Sequence, residues 1–169
     1  AGDRAQQYLA ALRSVGTVPA ARQHTDSHAF VAALADTANA LCRPAKLHFV
    51  LQEQWQGQFL CAAPELSRAL ENMLDNAVRY TPAGGTVTLT ISKADGDVAF
   101  TVTDTGPGFT PEALHKAGQF LYTDAARPCN GHQGLGLYLA RSVAQAHVGK
   151  LVLANTGTGA QVQLCLPMQ

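Results

Sequence analysis

The apolar positions of this chain change period several times, and each change marks an element. Residues 3–13, DRAQQYLAALR, carry helical spacing, and Gly16 to Pro19 breaks it. A short extended piece follows around Arg22 to Thr25. Asp26 or Ser27 then caps a helix running to about Leu41, with Phe30, Leu34, Ala38 and Leu41 on its apolar side and Pro44 ending it. Leu47 to Gln52 and Phe59 to Cys61 read as strands joined at Gly57. Pro64 opens a long helix, at a position where a missing N–H does no harm. In that helix Leu70, Met73, Leu74, Ala77 and Val78 form one stripe at helical spacing. Thr81, Pro82 and the Gly84-Gly85 pair stop it.

Two runs then alternate on a period of two, TVTLTISK at 86–93 and VAFTVTD at 98–104. Between them DGD, residues 95–97, favours a tight turn with positive φ, so the runs form a hairpin. Residues 106–118 are irregular, with one short helix after Pro111. Residues 119–133 have no period, and so long a loop in a small domain marks a functional or moving segment. Gly134 to His147 is a helix entered through glycines. LVLANT and AQVQLCL make a last hairpin around Gly157 to Gly159. This order predicts an α+β fold: a two-layer sandwich, with one mixed, mainly antiparallel sheet covered by helices on one face.

Composition narrows the partners. A chain of 169 residues with 47% hydrophobic positions suits one domain with a sizeable core. Twelve basic and twelve acidic residues cancel, so no chain-wide field favours nucleic acid or an anionic membrane. No apolar run approaches the roughly 20 residues that span a bilayer. The four cysteines are scattered without zinc-ligand spacing. Three sit in apolar or strand-like contexts, which suggests buried thiols in a reducing cytosolic compartment.

Three polar stretches interrupt the apolar pattern. The first is ENMLDNAVRYTP, residues 71–82. Opposite the apolar stripe, Asn72, Asn76 and Arg79 stack in one row, with Tyr80 beside them. Asparagine is a mediocre helix former. Its oxygen is a hard, neutral ligand suited to magnesium, and an arginine one turn on can pair with phosphate. A solvated polar face is the plain alternative. The second stretch is DTGPGF, residues 104–109, directly after a strand. Asp104 could accept from an exocyclic amine such as adenine N6, and the glycines allow close approach. A simple turn is the alternative. The third is GHQGLGLYLARSVAQAH, residues 131–147, where glycines run into a helix N-terminus with free N–H groups suited to anions. It matches neither the dinucleotide fingerprint nor a Walker loop.

In this order the three stretches resemble the N box and the two glycine boxes of the sensor histidine kinase ATP-binding domain, in the GHKL (HATPase_c) superfamily. Phe120, Leu121 and Tyr122 stand for the region between the glycine boxes, and the resemblance spans about residues 27–166. It implies a Bergerat-type sandwich that binds ATP and magnesium. Asn76 would hold the ion, Asn72 would support it or the phosphates, and Arg79 would lie near the phosphates. Tyr80 would lie beside the nucleotide. Asp104 would bind adenine N6, Gly106 and Gly108 would let the backbone pass the base, and Phe109 would wall the pocket. Gln133, Gly134, Leu135, Gly136 and Leu137 would meet the phosphates. Residues 110–133 would be the lid, with Arg127 as a weaker γ-phosphate contact.

The resemblance also implies phosphoryl transfer rather than hydrolysis. The hydrolysing branch places a glutamate four residues before the metal asparagine, where this chain has Asn72. Glu71 lies one residue, about 100°, off that direction. None of the six histidines, His24, His28, His48, His115, His132 and His147, has the His-Glu/Asp-x-Arg/Lys-x-Pro setting of a phospho-acceptor. The acceptor is expected on a dimerisation domain of the same protein, with a response regulator downstream. Residues 1–20 would be the tail of a dimerisation helix and linker, and 21–169 the catalytic domain, monomeric by itself and unable to autophosphorylate. It would be the cytoplasmic part of an inner-membrane sensor. The alternatives are a GHKL serine kinase of the anti-sigma type and a non-catalytic ATP-sensing module.

Overall fold

A computed structural model describes residues 21–116 and 135–168. Strand β1 (Gln23–Asp26) leads into helix α1 (Ser27–Cys42), which Asp26 caps by accepting from Ala29 N at 2.9 Å. Strands β2 (His48–Glu53) and β3 (Gln58–Cys61) precede helix α2 (Ala63–Tyr80). Strands β4 (Thr86–Ala94) and β5 (Asp97–Asp104) follow, then the short helix α3 (Pro111–Lys116). Helix α4 (Leu135–Ala146) and strands β6 (Lys150–Asn155) and β7 (Ala160–Pro167) complete the described elements.

The main sheet has five strands in the order β2-β4-β5-β7-β6, with β2 parallel to β4 and every other pair antiparallel. The β4–β5 turn places Asp95 and Gly96 at φ 54° and 80°, the double left-handed corner of a two-residue hairpin. The strands expected to be joined at Gly57 are consecutive but do not pair. β3 pairs instead with β1 in a separate two-stranded sheet. Gly57 is tied to the start of α1, donating to Ser27 Oγ and accepting from Ser27 N, both at 2.9 Å. A parallel β2–β4 pair also needs a long crossover, and the stretch containing β3 and α2 supplies it.

Alternation sorts the sheet into two faces. Val87, Leu89 and Ile91 of β4, Val98, Phe100 and Val102 of β5, and Val162, Leu164 and Leu166 of β7 all join one core. Val31 and Leu34 of α1, Leu66, Leu70, Met73 and Leu74 of α2, and Ala140, Val143 and Ala144 of α4 complete it. The register places Thr88 opposite Thr103, Thr90 opposite Thr101 and Thr101 opposite Gln163 on the other face. The helices therefore cover one face, and a polar threonine and glutamine face looks away from them. The expected two-layer α+β sandwich is the observed one. Phe30 of α1 meets Phe59 and Phe100 edge-on, at 5.9 and 5.8 Å between centroids, and so locks the small sheet onto the core. Cys42, Cys61 and Cys165 are buried free thiols, and burial pushes each of them up from the ordinary thiol range. Among the described residues no helix is long and apolar enough to cross a membrane.

Candidate functional site

The polar row of α2 exists because the opposite stripe is buried. Leu70, Met73, Leu74 and Ala77 are at most 3% exposed, which turns Asn72, Asn76 and Arg79 away from the sheet. Val78 is half-buried and packs at the margin of the core. Arg79 Nη2 lies 3.3 Å from Asp75 Oδ2, one turn back, so the guanidinium is held at the C-terminal end of the helix. Asn72 Nδ2 is buried and has no hydrogen-bond partner among the described residues. An orphaned buried donor costs about 1–3 kcal/mol unless something accepts from it. Thr81 closes the helix, its Oγ1 donating to Ala77 O at 2.7 Å. Glu71 accepts from Ser67 Oγ at 3.5 Å, on the strip of helix next to the asparagine row.

Asp104 ends β5 and is 5% exposed. Its Oδ1 accepts from two backbone N–H groups, Gly106 at 2.9 Å and Ala160 at 3.2 Å. These donors fix the direction of the carboxylate. Gly106 is required by crowding: a Cβ there would lie 2.9 Å from Tyr80 O and 3.1 Å from Asp104 Oδ1. The first glycine stretch thus lies against the end of α2. Tyr80 at the end of α2 is thereby brought against Asp104 and Gly106 at the end of β5, and Asn72, Asn76 and Arg79 lie on the C-terminal half of the same helix.

Gly108 adopts φ 80°, and Phe109 is 7% exposed within the core. Both are fixed by a residue the sequence reading did not single out, Asn155. Its Oδ1 accepts from Phe109 N at 2.7 Å and its Nδ2 donates to Phe109 O at 2.8 Å. The β6–β7 turn supplies more. A Cβ on Gly159 would lie 2.0 Å from Asp104 O, and Ala160 N bonds the carboxylate itself. Thr156 Oγ1 shapes this turn by accepting from Thr158 N and Gly159 N at 3.1 and 3.0 Å. The one local signal was Asn-Thr-Gly between two strands, which reads as turn chemistry alone. Replacing Asn155 by alanine is expected to cost about 1–3 kcal/mol, because it removes the hydrogen bonds to Phe109 N and O together. Chemical denaturation checks this.

Of the second glycine stretch, Gln133 and Gly134 lie outside the described residues, as do Phe120, Leu121, Tyr122, Arg127 and His132. Leu135 and Gly136 form the first turn of α4, and Leu137 packs against the core. The N-terminal end of the 110–133 stretch is α3, capped by Thr110 Oγ1 accepting from Ala113 N at 3.1 Å. His147 directly follows the end of α4 and is buried. It is 4% exposed, Nε2 accepts from Ala62 N at 2.9 Å, and Nδ1 donates to Val143 O at 2.8 Å. Among the described residues no group of three or more His, Cys, Asp or Glu could hold a metal ion.

The comparisons with known proteins agree with this geometry. The chain is 43% identical over 107 residues to the sensor histidine kinase SpaK of Bacillus subtilis, a match covering 62% of this chain and 23% of SpaK. The chain therefore spans about a quarter of that relative. The mycobacterial sensor histidine kinase MprB superposes with a TM-score of 0.76 at 23% identity, over 87% of this chain and 99% of that one. Full-length ShkA, solved in complex with AMPPNP, superposes with a TM-score of 0.81 at 24% identity, over 96% of this chain and 35% of that one. These two likenesses show the fold. A model of one protein family matches residues 61–169, from the end of β3 through all three polar stretches. The chain belongs to that family, HATPase_c, the histidine kinase-, DNA gyrase B-, and HSP90-like ATPases.

Proposed function

We propose that this chain is the ATP-binding catalytic domain of a sensor histidine kinase. It transfers the γ-phosphoryl group of ATP to a histidine on a separate dimerisation domain of the same protein. The observation that carries this reading is the meeting of two chemistries at one end of the sheet. A fixed, buried carboxylate at Asp104 sits across the Gly106–Tyr80 contact from a helix face bearing two asparagines and an arginine.

The residues fit a nucleotide. Asp104 accepts the adenine amine, and Gly106 lets the backbone pass close beside it. Tyr80, Gly108 and Phe109 bound the base. The orphaned Asn72 amide donates to a phosphate oxygen, which relieves the cost of its burial. Asn76 would hold magnesium through its amide oxygen. A magnesium ion there would neutralise phosphate charge, and it takes much of its shell from phosphate and water, which suits a site with one protein ligand. Arg79, anchored by Asp75, adds a cation near the transferred group. Backbone N–H groups from Leu135 to Leu137 at the start of α4 receive the phosphate charge. Positioning and electrostatics then supply most of the rate.

In this reading residues 1–20 connect to the dimerisation helices and residues 21–169 form the catalytic unit. A response regulator accepts the phosphoryl group downstream, and the domain works on the cytoplasmic side of an inner-membrane sensor. The test is transfer. The chain is incubated with magnesium, radiolabelled ATP and a purified dimerisation domain carrying the acceptor histidine. Acid-labile, base-stable label on that domain is the expected result. Label on serine of an antagonist protein would point to the anti-sigma type of kinase. Tight ATP binding with no transfer to any acceptor would leave a sensing module.

A further inference from the structure

The buried imidazole of His147 is not accounted for by the nucleotide site, yet it joins the two helices that build it. Ala62, the N-cap residue of α2, has no side-chain cap, and its own N–H is donated across to His147 Nε2 at 2.9 Å. The other ring nitrogen stays within the α4 turn, bonded to Val143 O at 2.8 Å. One nitrogen must accept and the other must donate, so the ring is neutral with its proton on Nδ1. The segment before β1 reaches the same point, where Arg22 Nη2 donates to Ala146 O at 2.8 Å.

This joint lies at the far end of the helix pair from the polar row. α2 begins where α4 ends, and the two pack along one another. The 12 residues of α4 measure about 18 Å from Ala146 back to its glycine-rich start. The same distance along α2, about 18 Å from Ala63, reaches Asp75, next to Asn76. Fixing Ala62 to His147 therefore fixes which turn of α2 faces the start of α4.

We propose that His147 is a positioning residue for the phosphate end of the nucleotide site, setting the axial register of α2 against α4 through the Ala62 bond. The proposal rests on the nucleotide reading above. It carries a consequence for pH. Burial pushes the imidazole below its ordinary range, with Arg22 opposing protonation and Glu65 of α2 favouring it. Protonation would place a second donor against Ala62 N and open the joint.

The test uses two substitutions with different geometry. His147→Asn can keep the bond to Val143 O but cannot reach Ala62 N. His147→Gln places an oxygen near the Nε2 position and does not titrate. Binding of magnesium AMPPNP and of adenosine is measured for each, with melting recorded to confirm folding. His147→Asn should weaken AMPPNP about tenfold, the equivalent of one lost hydrogen bond, and leave adenosine affinity unchanged. His147→Gln should restore AMPPNP affinity. It should also remove the part of the wild-type pH dependence below about pH 6.5 that is absent with adenosine. Equal loss of both ligands, or unchanged AMPPNP affinity in folded His147→Asn, would overturn the proposal. Failure of the wild type to bind either ligand would instead overturn the nucleotide reading.

Discussion

Replacing Asp104 by asparagine is expected to weaken ATP binding at least about a hundredfold while leaving the domain folded. Oδ1 already accepts from Gly106 N and Ala160 N, so an asparagine must keep its oxygen on those donors. Its amide nitrogen then replaces the second carboxylate oxygen. A donor now meets the adenine amine, which is also a donor. Losing a charge-assisted hydrogen bond of about 1.5–3 kcal/mol and leaving a buried donor unsatisfied for about 1–3 more amounts to at least roughly two powers of ten. The opposite amide orientation would set its NH2 against two backbone N–H groups and would show as lost stability. Calorimetry with a parallel melting curve separates the two outcomes. Wild-type affinity in the variant would show that the carboxylate does not read the base.

Asn76→Ala is expected to remove the magnesium dependence of binding and to reduce phosphoryl transfer more than a hundredfold. The side chain is half-buried on the polar face, and among the described residues it makes no hydrogen bond that its loss would break. Alanine is the better helix former by about 0.5 kcal/mol, so the melting temperature should hold or rise slightly. A stable protein that has lost metal coupling is the signature of a ligand position. Parallel loss of stability and binding would make Asn76 a structural residue. The measurement is the ratio of ATP affinities with magnesium and with chelator, for wild type and variant.

Acid should destabilise the domain through His147. Its imidazole is depressed by burial, so the folded chain resists a proton that the unfolded chain takes up near pH 6.5. The stability is fully present above that pH. It falls as pH drops through about 6.5 and levels off only below the folded value. Urea midpoints between pH 5 and 8 test the sign, and the His147→Gln protein should lack this component.

Local pattern made some of the structure legible. The α2 stripe, the Asp95-Gly96 turn and the alternation of β4 and β5 are set by neighbours a few residues apart, so periodicity and turn chemistry reveal them. The parallel β2–β4 pair was not legible. A strand's partner depends on how the crossover packs, and the strand's own residues do not encode it. The site divides the same way. The asparagine row and the Asp-x-Gly corner announce themselves by spacing. The Asn155 clamp joins residues 46 apart and the His147–Ala62 bond joins residues 85 apart, so local pattern reveals neither contact. In the sequence His147 reads only as the end of a helix. Only the fold shows that it is buried and that it accepts.

The most direct test of the central claim is a calorimetric titration of the unaltered chain with ATP, with and without magnesium, on a sample shown to be folded. The account predicts saturable one-to-one binding that magnesium strengthens. A folded chain that takes up no ATP under either condition would contradict it.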